Sequence, residues 1–93
     1  MIDVMKVRLE YVNRSENSEK FYEIFVKYND KKAVNPYAVY ASYGRISKAG
    51  KEVVIETNLS SQDQAKRVLE AQQSVKVKKG YEVVDSLKVN LFQ

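Results

Sequence analysis

Met5, Val7, Leu9 and Tyr11 are interleaved with Lys6, Arg8 and Glu10 near the start of the chain. A period of two marks a strand with one face on a core and the other in water. The polar run from Asn13 to Ser18 is turn material, and a second alternation from Phe21 to Tyr28 follows it, so the two segments predict a hairpin. Phe25 falls on the more polar side of that second strand, which makes both faces partly apolar and suits a central strand. Asn29-Asp30-Lys31-Lys32 and Asn35-Pro36 then mark a longer loop, because Pro36 lacks an amide donor and disfavours helical geometry at Asn35. A third strand from Tyr37 to Ile46 places Tyr37, Val39, Ala41, Tyr43 and Arg45 on one face and Ala38, Tyr40, Ser42 and Ile46 on the other. Ser47-Lys48-Ala49-Gly50 is a short connection in which Gly50 is expected to supply a positive φ. Val53, Ile55 and Thr57 carry a fourth strand back alongside the third.

The rhythm changes at Asn58-Leu59-Ser60-Ser61. Ser60 with Asp63, or one residue later Ser61 with Gln64, forms a capping pair that opens a helix. Ala65, Val68, Leu69, Gln72 and Val75 make its inner stripe, with Lys66, Arg67 and Glu70 facing outward. Gly80 suits the helix end, Tyr81 to Val84 supplies a final short strand, and residues 85–93 form a tail without a clear pattern. The order β-β-β-β-α-β describes one α+β domain over residues 1–93, an antiparallel sheet packed by one helix.

Composition removes several function classes. A chain of 93 residues supports one small core. It has no cysteine and no histidine, so neither disulfides nor the commonest general base and metal ligand are available. With three dispersed glycines, no phosphate-cradling loop, no paired carboxylates and no metal-ligand spacing, neither an enzyme nor a bound cofactor or metal is expected. The first residues lack the charged start and apolar core of a signal peptide, and no apolar run reaches membrane-spanning length. The expectation is therefore a cytoplasmic protein, nucleoid-associated if bacterial, with no membrane partner. Sixteen Lys and Arg against 12 Asp and Glu give a formal net charge of +4 and a sequence pI near 9.3, a modest lean toward polyanions.

The third strand is rich in aromatics and ends in Tyr43-Gly44-Arg45, with Phe21-Tyr22-Glu23 upstream, Gly50-Lys51 just after, and Lys79-Gly80-Tyr81 at the close of the helix. Over about residues 6–84 this order of landmarks resembles the WGR domain, named for Trp-Gly-Arg, with tyrosine in the place of tryptophan. The resemblance implies a twisted antiparallel sheet with one packed helix. It also implies a non-catalytic nucleic-acid-binding role, as in the DNA-break-activated poly(ADP-ribose) polymerases and in bacterial proteins that use the domain alone or fused. In those polymerases the motif's aromatic lies against a sugar at a DNA end and its arginine contributes to contacts between domains. Carried over, Tyr43 is a stacking platform; the same position also fits a half-buried sheet residue. Arg45 either forks onto a phosphate or pairs with Glu52 or Glu56 across the hairpin. Gly44 has a structural role, as a bulge or a point of close approach, and Tyr22 and Tyr81 are structural landmarks. Lys76, Lys78 and Lys79, with Lys66 and Arg67 earlier in the helix, form the densest basic stretch, suited to phosphates or to the helix dipole. Lys31 and Lys32 offer a second, weaker contact. The partner expected is nucleic acid, DNA rather than RNA, at ends or single-strand junctions. The alternative is a protein partner docking on an exposed sheet edge or on Arg45.

Overall fold

The computed structural model describes residues 1–88. Strands β1 (Ile2–Asn13), β2 (Ser18–Tyr28), β3 (Tyr37–Arg45) and β4 (Lys51–Leu59) are followed by helix α1 (Gln62–Lys78) and strand β5 (Glu82–Lys88). The five strands form one antiparallel sheet in the order β4-β3-β2-β1-β5. The α+β order is thus the one the hydrophobic pattern predicts, and β2 takes the central position that Phe25 implies. The strands run longer than their alternations: β1 starts at Ile2, and β5 continues through Lys88 because it pairs along β1, from Glu82 opposite Glu10 to Lys88 opposite Met5. The tail expected from residue 85 is therefore strand as far as Lys88, and its remainder, 89–93, lies outside the described residues.

One face of the sheet carries the core. Val7, Leu9, Tyr22, Ile24, Val26, Tyr37, Val39 and Ala41 are buried with Ala65 and Leu69 of α1, the alternation of each strand meeting one stripe of the helix. Ser61 caps α1, its Oγ accepting from the Gln64 amide at 3.1 Å. Gln64 Oε1 in turn accepts from the amide and hydroxyl of Ser60. Of the two expected capping registers, the structure adopts Ser61 with Gln64. The inner stripe differs at its last turn: Val75 is 46 % exposed, and Lys76 faces the sheet instead. Stepping three then four residues from Leu69 through Gln72 leads to Lys76, about 100° around the helix from Val75. Of the three residues expected to point outward, Arg67 and Glu70 do, while Lys66 is half-buried.

The opposite face is covered by charge and aromatic rings. Glu23 pairs with Lys6 and Arg8, and Lys27 with Asp3 and Glu52, while Arg8 lies over Phe21 and Lys27 over Tyr40. Phe21 is nonetheless buried because the β3–β4 turn folds onto it. A Cβ built on Gly50 would meet the Phe21 ring and Ser42 Oγ, each at 2.5 Å. Gly50 is therefore glycine for space; its φ is not positive, contrary to expectation, and among the glycines only Gly80 has a positive φ, of 101°.

Candidate nucleic-acid interface

The helix end builds one wall of the site. Lys79 is the C-cap, Gly80 follows in the left-handed region, the Gly80 amide donates to Val77 O at 3.0 Å and the Tyr81 amide donates to Lys76 O at 3.1 Å. This is the Schellman arrangement, and it sets Tyr81 beside Lys76. The Lys76 ammonium lies 5.6 Å from the Tyr81 ring centroid and 4.3 Å from that of Tyr22. On its other side Tyr81 meets Tyr11, centroids 5.5 Å apart.

The sheet builds the floor. Tyr22 and Tyr43 are directly opposite in the β2–β3 register and stack at 6.1 Å with planes 19° apart, a pair worth about 0.5–1.5 kcal/mol beyond its buried area. Tyr22 is buried while Tyr43 remains 40 % exposed, so the inner ring supports the outer one. Tyr11, Tyr81, Lys76, Tyr22 and Tyr43 thus form a continuous row across β1, β2 and β3.

Cations flank that row with little opposing charge. Lys20 and Arg45 occupy directly opposed positions on β2 and β3; the Lys20 ammonium lies 5.8 Å from the Tyr11 ring centroid, and among the described residues neither side chain makes an ion pair. Lys51 stands opposite Tyr43 on the other side. Arg45 does not pair with Glu52, which lies on the opposite face bound to Lys27. The Lys76 ammonium sits below the ordinary lysine range, chiefly through burial, with Lys79 and Lys20 adding repulsion. Burial raises the Tyr22 and Tyr81 hydroxyls above the usual tyrosine range.

Two adjoining clefts open on this surface. One of 260 Å³ is lined by Lys20, Tyr22, Tyr43, Gly44, Arg45, Lys76 and Tyr81, with Phe21 beneath. The larger, 510 Å³, is lined by Tyr11, Glu16, Ser18, Lys20, Lys76, Lys79 and Tyr81. Of the residues singled out in the sequence, Tyr43, Arg45, Lys76, Lys79, Gly44, Tyr22 and Tyr81 come together here. Lys78 and Arg67 are exposed but line neither cleft, and Lys66 lies ten residues before Lys76, about 15 Å along the helix. Lys31 and Lys32 are in the β2–β3 loop at the far end of β3, about 20 Å from Tyr43 at the strand rise; there the Lys32 ammonium donates to Asn58 Oδ1. Gly44 pairs with Phe21 in unbroken register, so it is no bulge; a Cβ there would meet the Gly50 Cα at 3.4 Å, an ordinary contact. Lys20, Tyr11, Ser18 and Glu16 were not singled out. Alternation alone puts Lys20 on the face of Tyr22, but only the strand register places it against Arg45.

No curated protein and no solved structure matches the chain. The pattern of the WGR domain matches residues 5–88, which includes every strand, the helix and both clefts except for the first residues of β1, so the chain belongs to the WGR domain family.

Proposed function

We propose that this domain is a non-catalytic nucleic-acid-binding module that grips DNA, at ends or single-strand junctions, through Tyr43, Arg45, Lys20, Lys76 and Lys79. The observation that carries the reading is an exposed, ring-backed Tyr43 in a cleft whose cations Lys20 and Arg45 make no ion pair among the described residues. A phosphate held by these cations with a sugar or base on Tyr43 uses both features. Family membership supports the same class of ligand. Among the described residues no group of acidic side chains could hold a metal ion, and no helix is long and apolar enough to cross a membrane.

Fluorescence anisotropy with labelled single-stranded and duplex oligonucleotides tests the proposal. The expected Kd near physiological salt is about 10⁻⁴–10⁻⁶ M, weakening steeply as salt rises. No binding of either ligand at about 100 µM protein in low salt rejects the reading. The competing reading, a protein-interaction module, draws on the exposed Val83, Val84 and Leu87 of edge strand β5; it gains if Arg45→Gln leaves DNA binding intact but abolishes capture of a cellular protein.

A further inference from the structure

Resting on the nucleic-acid reading above, we propose that the larger cleft is a base-reading subsite for an unpaired guanine, and that Glu16 is the residue that selects it. Glu16 is the one carboxylate in a cleft that also contains Lys20, Lys76 and Lys79, yet among the described residues it forms an ion pair with none of them. A carboxylate has no favourable role in a surface that contacts only phosphates. Its position is also fixed: Oε1 accepts from Tyr11 Oη at 3.2 Å and from Asn13 Nδ2 at 2.5 Å. Asn13 is held in turn, its Oδ1 accepting from Ser15 Oγ at 2.7 Å. Among the described residues Oε2 takes no hydrogen bond, so one oxygen of a cleft-lining carboxylate is free to accept.

The bases differ in what they offer such an acceptor. Guanine has a ring N1–H beside an exocyclic amino group, two adjacent donors on its Watson–Crick edge that can converge on the single open oxygen Oε2. Adenine and cytosine set one amino group beside a ring nitrogen acceptor, and thymine and uracil flank their single N–H with carbonyls, so each turns a repulsive atom toward the carboxylate. Guanine O6 also accepts readily from lysine, and Lys20, Lys76 and Lys79 line the same cleft. At 510 Å³ the cleft is within the range of small-molecule sites. It shares Lys20, Lys76 and Tyr81 with the cleft at Tyr43, so a nucleotide stacked on Tyr43 places its neighbour here. A duplex cannot offer that edge, because pairing already occupies it.

The test compares labelled eight-nucleotide DNA strands: all thymine, and thymine with one central guanine, hypoxanthine, adenine or cytosine. The guanine strand is expected to bind about tenfold more tightly than all thymine, with hypoxanthine, which lacks the amino group, in between. Glu16→Gln is expected to erase the guanine preference while tightening the all-thymine strand, since a negative charge leaves a basic cleft. If all strands bind the parent equally, or if Glu16→Gln keeps the guanine preference, the base-reading proposal fails and the nucleic-acid reading stands. If no strand binds the parent at all, both fail together.

Discussion

At Tyr43, Lys20 and Arg45 binding and stability are expected to separate. Tyr43→Ala removes an exposed ring that rests on Tyr22, so single-strand affinity is expected to fall by about 1–2 kcal/mol, with a stability loss limited to the stacked pair. Tyr43→Trp enlarges the platform and is expected to bind more tightly. Titration and thermal melting of both variants check this; a Tyr43→Ala protein that unfolds makes Tyr43 a packing residue. Arg45→Gln and Lys20→Gln remove cations that make no ion pair among the described residues, so stability is expected to change by no more than about 0.5 kcal/mol while every nucleic acid binds more weakly and the salt dependence flattens. A large fall in melting temperature in either variant assigns that cation to the fold instead of to the ligand. The sequence placed Tyr43 and Arg45 on one face by parity alone, which is a local property. It could not place Lys20 beside Arg45, because register between strands depends on turn geometry and packing.

At the scale of elements, the three glycines are predicted to behave differently under the same substitution. Gly50→Ala puts a Cβ 2.5 Å from the Phe21 ring and Ser42 Oγ, so overpacking is expected to cost about 1–3 kcal/mol. Gly44→Ala meets nothing closer than 3.4 Å and is expected to be nearly neutral. Gly80→Ala forces φ 101° on an alanine whose Cβ lies 3.1 Å from the Tyr11 ring. Its stability is expected to fall by more than 1 kcal/mol, and binding should fall with it as the Schellman turn that positions Tyr81 loosens. Chemical denaturation and titration of the three variants give the ranking. The helix shows why element type was legible and its last turn was not. Ala65 and Leu69 fix the stripe, but Val75 and Lys76 are both permitted continuations of Gln72 by spacing. Hydrophobicity favoured the valine, whereas Tyr22 and Tyr81 offer the lysine rings and leave Val75 in solvent.

For the whole molecule, the raised Tyr22, Tyr37 and Tyr81 hydroxyls set the alkaline limit. Each holds its proton longer when folded than when unfolded, so their contribution is complete below the ordinary tyrosine range near 10 and is lost as pH rises through the folded values. Lys76, shifted down, acts with the opposite sign in the alkaline range. With three groups against one, stability is expected to decline above pH of about 10, read as tyrosinate absorbance lagging in the folded protein and then rising with loss of the circular dichroism signal. Shape matters as well: the fold extends 49 × 23 × 22 Å, with the clefts around the Tyr11 end of β1 and the last described residue, Lys88, opposite Met5 toward the other. The first residues of β1 and the end of β5 are therefore antiparallel neighbours at the end away from the clefts. Tension applied between Met1 and Lys88 acts across the β1–β5 ladder and opens it like a zip, one pair at a time from Met5 toward Glu10. Tyr81 lies just beyond the final pair, so a pulled molecule is expected to keep its ring row until β5 has peeled away, and mechanical load reaches the clefts last.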